Sequence, residues 1–240
     1  MTIRAVIFDW GGTLSDYAAV ELPDMWQLAA EHLSPHLPED QPSLMRHFGN
    51  IEERFWARTT TDQRAGTLAD IISEATADLR VDVSKAILDE AAVRYLDAWT
   101  PHIVHDPEAA WTLAALRKRG LKIGLLSNTH WPRAFHEHFL ERDGLAQQID
   151  ERLYTSEMPY MKPHPEAFRA ALDALDLDSA AEAVFVGDRP LDDIHGAQQV
   201  GMRAVLRPNP LVSSFEVEPD ATIQSLPELL PLIDRWTGGD

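Results

Sequence analysis

The stretch Val6-Ile7-Phe8-Asp9-Trp10-Gly11-Gly12-Thr13-Leu14 runs from an apolar strand into a glycine turn, with a carboxylate at the junction. An acid at the carboxyl end of a buried strand stands where open α/β sheets gather their ligands, and paired glycines let the backbone approach an anion closely. Asp9 therefore reads as a nucleophile. Gly11 lies two residues on, where a second carboxylate would be sought, so the usual acid/base partner is missing. A purely structural Asp-Gly turn is the competing reading of this segment taken alone.

Working outward, the chain from Pro101 alternates short apolar runs with segments of helical period, the pattern of a parallel sheet covered by helices. Strands are predicted over Ala5–Phe8, Lys122–Leu126, Arg152–Tyr154, Ala183–Val186 and Arg203–Leu206. Asp106 and Pro107 suit a helix start and Gly120 a helix stop, while Phe168, Ala171, Leu172 and Leu175 share one helical face. A closing helix is expected over Ser225–Trp236. Between about Ser15 and Thr100 apolar residues recur at helical spacing and strand-like alternation is scarce, which predicts a helical insertion.

The 240 residues, 45% hydrophobic, suffice for one sizeable α/β core with a smaller module. A formal net charge of −18 disfavours nucleic acid and anionic lipid as partners. The insertion does not stand out by charge, holding 7 of the 21 basic and 16 of the 39 acidic residues. The absence of cysteine excludes disulfides and thiolate metal sites, and with no leader-like segment or membrane-length apolar run it makes the cytoplasm the expected location. Nothing in the sequence sets an oligomeric state.

Four polar sites fall at the ends of predicted strands. Asp9 is the first. Ser127-Asn128-Thr129 offers hydroxyl and amide groups suited to phosphate oxygens. Lys162, in Met161-Lys162-Pro163-His164-Pro165, is a cation on a stiffened backbone just before a helix. Gly187-Asp188-Arg189-Pro190-Leu191-Asp192-Asp193 is an acidic loop suited to Mg²⁺, which usually takes one or two carboxylates plus substrate oxygens, so Asp9 and Asp188 suffice. Each has an ordinary reading as a polar turn or a solvated side chain. Their ordered recurrence is what points to chemistry.

The order and types of these residues resemble the haloacid-dehalogenase-like superfamily of hydrolases, from Val6 to about Leu206 apart from the insertion. The resemblance implies a Rossmann-like, doubly wound α/β core (residues 1–14 and 101–240), a helical cap (15–100) and a covalent aspartyl intermediate. By position it implies Asp9 as nucleophile, Ser127 as a phosphate-binding residue with Asn128 beside it, and Lys162 as the charge-neutralising lysine. Asp9, Asp188 and the Gly11 carbonyl are the implied Mg²⁺ ligands. Asp193 is the implied outer acid, with Asp192 competing for that role. Phosphatases of this family carry an aspartate two residues after the nucleophile, where this chain has Gly11, and such acid/base help is worth about 10²–10⁴-fold.

The leading expectation is Mg²⁺-dependent hydrolysis of a small phosphorylated metabolite. His130 is a candidate for the missing proton transfer, against its reading as a surface or capping residue. Three alternatives stand beside it. Phosphonate carbon–phosphorus cleavage would need a cap lysine, and the insertion offers Lys85, which reads as an exposed helix residue. Metal-free 2-haloacid dehalogenation would tolerate Gly11, and a catalytically weakened fold would act as a binding protein. Trp26, His47, Phe55, Trp56 and Arg58 include possible substrate contacts, although aromatics on amphipathic helices more often serve as core. His136 and His138 fall on different helical faces and read as surface residues.

Overall fold

The computed structural model describes residues 2–16 and 18–238. The chain opens with β1 (Ala5–Phe8) and continues through α1 (Leu22–Met25), α2 (Gln27–Leu33), α3 (Gln41–Asp62), α4 (Leu68–Asp78) and α5 (Lys85–Trp99). There follow α6 (Ala109–Arg117), β2 (Lys122–Ser127), α7 (Arg133–Arg142), β3 (Glu151–Tyr154), α8 (Pro165–Ala174) and β4 (Ala183–Gly187). A π-helical turn (Pro190–His195) leads to α9 (Gly196–Gln199), β5 (Arg203–Leu206), β6 (Ala221–Thr222) and α10 (Leu229–Thr237). The five predicted strands are present within a residue at each end. Asp106 makes a turn ahead of the predicted helix rather than capping it: its carboxylate accepts from the Glu108 amide (2.8 Å), and α6 begins at Ala109.

The strands form one parallel sheet in the order β3-β2-β1-β4-β5-β6. Because successive side chains point to opposite faces, β1 divides its four buried residues between two cores. Val6 and Phe8 pack with Leu113 and Leu116 of α6, Phe139 and Leu140 of α7, and Leu229 and Ile233 of α10. Ala5 and Ile7 pack with Phe168, Ala171 and Leu172 of α8 and Ala197 of α9. Both faces of β1 are therefore covered, and its carboxyl end opens at the switch point where neighbours β2 and β4 lead to opposite edges.

Helices α1 to α5 enclose a third apolar cluster built on Trp26, Leu33, Phe48, Ile51, Ile71, Ala91 and Tyr95. The chain leaves and re-enters the sheet layers through a paired stem: Asp16 N–H donates to Val104 O (2.8 Å) and Asp106 N–H to Leu14 O (2.9 Å). Trp10 Nε1–H donates to His105 Nε2 (3.0 Å), which places the imidazole proton on Nδ1, where it bonds the Asp143 carboxylate (2.6 Å). Trp131 and Phe135 pack against both this cluster and the sheet core, and Met161 is buried in the helical cluster one residue before Lys162. Among the described residues, no helix is long and apolar enough to cross a membrane.

Within the helical cluster Glu52 is 1% exposed and accepts from Trp26 Nε1 (2.8 Å) and Tyr95 Oη (2.9 Å). Burial pushes its carboxyl up to about 7, and these two donors only partly offset the shift. A carboxyl raised on folding contributes stability that is complete below the unfolded value and is lost as pH rises through the folded one. Glu52→Gln cannot lose that proton. Its stability relative to wild type should rise by about 3 kcal/mol between pH 4.5 and pH 8, as measured by urea denaturation at the two pH values.

Candidate active site

Asp9 extends β1 by one residue, its amide donating to Val186 O (2.9 Å) at the end of β4. The following loop turns back at once, because the amides of Thr13, Leu14 and Ser15 all converge on the Trp10 carbonyl. Gly12 has φ +80°, and a Cβ there would overlap the Asp188 carboxylate. Glycine at position 12 is thus required by conformation and by space together.

Lys162 reaches the same point from the segment before α8. Its ammonium donates to Asp9 Oδ1 (2.6 Å) and Asp193 Oδ1 (2.7 Å) and lies 5.0 Å above the Phe185 ring. The lysine side chain is 1% exposed. Burial opposes its charge, but the two carboxylates outweigh burial and raise its pKa. Asn128 fixes the backbone below, accepting from Lys162 N–H (2.9 Å) and donating to Lys162 O (2.8 Å). The amide of Asn128 is thus committed to holding Lys162. Ser127, the last residue of β2, is 3% exposed at the same end of the sheet.

The acidic loop supplies two buried groups with different duties. Asp193 uses both oxygens within the protein, Oδ1 on Lys162 and Oδ2 on the Arg189 amide (2.9 Å), and its carboxyl packs where a Cβ on Gly187 would stand. Asp192, its competitor for the outer position, is only partly buried and pairs with Arg189 at 3.7 Å. Asp188 is 1% exposed, and its Oδ2 accepts from Asn209 Nδ2 (2.8 Å) while its Oδ1 is buried without a partner. Asp9, Asp188 and Asp193 each offer an oxygen within 4.8 Å of the others. Burial, reinforced by neighbouring carboxylates, pushes Asp188 up to about 7, and burial pushes Asp9 up to about 6 despite the pull of Lys162. A buried, unpartnered carboxylate oxygen beside two further acids fits a hard divalent cation.

Asn209 was not found from the sequence. It sits between two prolines just past β5 and aims Asp188 so that Oδ1 stays free. The available signal was positional, a polar side chain at yet another strand end. His130 proves fully buried rather than a surface or capping residue. Its Nε2 contacts Tyr95 Oη (3.1 Å), and burial drives its pKa down to about 3. His136 is likewise buried, stacked on Tyr154 and bonded to Thr129 Oγ1 (3.0 Å), whereas His138 is exposed; the expectation of two surface histidines holds for one. Aromatic packing against Trp10 and Trp131 overrides the polarity of the His136 ring. Lys85 is an exposed helix residue paired with Asp89 (2.7 Å), Trp26 and Phe55 are core, and Arg58 is paired with Glu74.

Carboxylates and a lysine are thus gathered at the switch point of a parallel α/β sheet, where enzymes of this architecture place their active sites. The chain belongs to the haloacid dehalogenase-like hydrolases: the sequence model of that family matches residues 3–201. Among curated relatives, a glyceraldehyde 3-phosphate phosphatase of Pyrococcus furiosus is 31% identical over 142 residues, 56% of each chain. A phosphoserine phosphatase of Thermus thermophilus is 38% identical over 51% of this chain and 49% of its own. The chain spans about half the length of those two relatives. A solved 2-haloacid dehalogenase of Pseudomonas syringae pv. Tomato DC3000 superposes with a TM-score of 0.74 at 28% identity, covering 98% of this chain and all of the other.

Lys162→Met leaves Asp9 and Asp193 buried without their shared cation. In metal-free protein at pH 8 it should cost about 3–5 kcal/mol in urea denaturation, and the loss should shrink towards pH 5, where the raised Asp9 carboxyl can take up a proton.

Proposed function

We propose that this protein hydrolyses a small phosphorylated metabolite with the help of Mg²⁺, through an aspartyl phosphate formed on Asp9. The observation that carries this reading is the buried, unpartnered Asp188 Oδ1 beside Asp9 and Asp193, three buried acids next to one buried ammonium. Asp9, Asp188 and the Gly11 carbonyl would hold the ion, with Asp193 outside them. When bound, Mg²⁺ neutralises charge on the phosphoryl oxygens. The two phosphatases named above support a phosphate monoester as the substrate class.

In this scheme Lys162 holds Asp9 Oδ1, leaving Oδ2 to attack phosphorus in line. The bond from phosphorus to the leaving oxygen breaks as the bond to Asp9 forms. Ser127 and Lys162 bind the equatorial oxygens. Water then attacks phosphorus and releases inorganic phosphate, restoring the Asp9 carboxylate. Residues 15–100 act as a cap over the core (1–14 and 101–240), keeping bulk water from the aspartyl site.

Gly11 stands where phosphatases of the family carry their acid/base aspartate. A Cβ at position 11 would meet no atom within 4 Å, so the place has room for a side chain. The leaving oxygen takes its proton from water there, or needs none if it departs as the carboxylate of an acyl phosphate. Gly11→Asp should fit without distortion and raise phosphate release from an alkyl phosphate by at least about tenfold.

The 2-haloacid dehalogenase neighbour and Gly11 together favour a second reading, displacement of halide by Asp9 without metal. A panel of phosphorylated metabolites, including acyl phosphates, separates the two when assayed with Mg²⁺, with chelator and with Asp9→Asn. Mg²⁺-dependent phosphate release abolished by Asp9→Asn is the expected result. Chloride release from 2-chloroacids in excess chelator, with no phosphate released from the panel, would reverse the assignment.

A further inference from the structure

The segment that ends β2 and follows it, residues 127–131, is held from two sides. On the sheet side Thr129 N–H donates to Thr155 Oγ1 (2.9 Å), and His136 Nε2 bonds Thr129 Oγ1 (3.0 Å). On the other side the inserted helices reach it through a chain of polar groups that crosses an otherwise apolar cluster. Trp26 Nε1 bonds Glu52 Oε2 (2.8 Å), Glu52 Oε1 bonds Tyr95 Oη (2.9 Å), and Tyr95 Oη bonds His130 Nε2 (3.1 Å). Glu52, Tyr95 and His130 are 1%, 0% and 3% exposed. The Leu68 amide also donates to the His130 carbonyl (2.7 Å).

Packing alone does not call for these groups, since a buried polar group stabilises only when it is satisfied. What a directional chain supplies is a fixed position. The hydroxyl of Tyr95 bridges Glu52 and the loop, bonding His130 and accepting from Trp131 Nε1 (3.5 Å), while Glu52 Oε1 itself lies 3.5 Å from His130 Nε2. When Tyr95 donates to Glu52, His130 supplies an Nε2 proton to the tyrosine oxygen; when Glu52 carries the proton, the direction reverses and Tyr95 donates to the ring. The chain is continuous either way. Phe55 and Trp56 of α3 meet the His130 ring edge-on at 5.9 and 5.4 Å, closing the space around it.

We propose that Glu52, Tyr95 and His130 form a latch that ties the inserted helices to the loop carrying Ser127, making Glu52 and Tyr95 positioning residues for phosphate binding. The proposal rests on the reading of Ser127 as a phosphate-binding residue. Tyr95→Phe preserves the ring and removes the bridging hydroxyl, while Glu52→Gln preserves an acceptor and a donor at the same place.

The test uses the full chain and two readouts, amide hydrogen exchange over residues 127–131 and calorimetric binding of inorganic phosphate with Mg²⁺. Tyr95→Phe should exchange these amides at least tenfold faster and bind phosphate about tenfold more weakly, with KM raised and kcat little changed. Glu52→Gln should match wild type in all of these. Unchanged exchange in Tyr95→Phe, faster exchange with unaltered phosphate affinity, or Glu52→Gln impaired as severely as Tyr95→Phe would each overturn the latch. Should wild type bind no phosphate with Mg²⁺, the phosphohydrolase reading fails, and the exchange rates still decide whether the tie exists.

Discussion

One ammonium group, that of Lys162, bonds the carboxylates at the ends of two neighbouring strands, Asp9 after β1 and Asp193 beyond β4. Neither acid is affordable as a lone buried charge, and the lysine is equally costly without them. The rest of the arrangement serves this contact. Parallel pairing of β1 with β4 puts both carboxyl ends at one height, Asn128 clamps the Lys162 backbone, and Gly12 and Gly187 clear the space the acids fill. Met161, buried among the inserted helices, carries the same segment into the third apolar cluster, so the site and the helical layer are positioned by a common stretch of chain.

The sequence was most legible where physics is local. Apolar runs ending in turn residues mark β1, β2, β4 and β5 because strands buried on both faces need continuous hydrophobicity. β6, two residues long, carries no such pattern and is held by pairing with β5. Asp9, Lys162, Asp188 and Asp193 could be singled out because each follows a strand or precedes a helix in a parallel fold. Asn209, Glu52 and the burial of His130 and His136 could not. Their partners are distant in sequence, and an acid or imidazole on an amphipathic helix or loop looks solvated until the facing element is known.

Family membership admits more than one chemistry at Asp9. The chain matches phosphatases in sequence and superposes on a dehalogenase in structure, and both chemistries begin with a carboxylate attacking an electrophilic centre. They differ in the charge the site must handle. A phosphoryl group brings several anionic oxygens, which a site holding three carboxylates tolerates only with added cation, whereas a haloacid places no such demand at the reacting carbon. The unpartnered Asp188 oxygen, on a carboxylate held by Asn209, is therefore a more informative feature than Gly11.

The proposed function turns on Asp9 accepting a phosphoryl group in a cation-dependent site. Beryllium trifluoride, a phosphoryl mimic that binds carboxylates, gives distinct fluorine NMR signals when captured by a protein. Bound signals that require Mg²⁺ and vanish in Asp9→Asn are the expected result. Absence of bound signals with Mg²⁺ present, or their persistence in chelator or in Asp9→Asn, would contradict it.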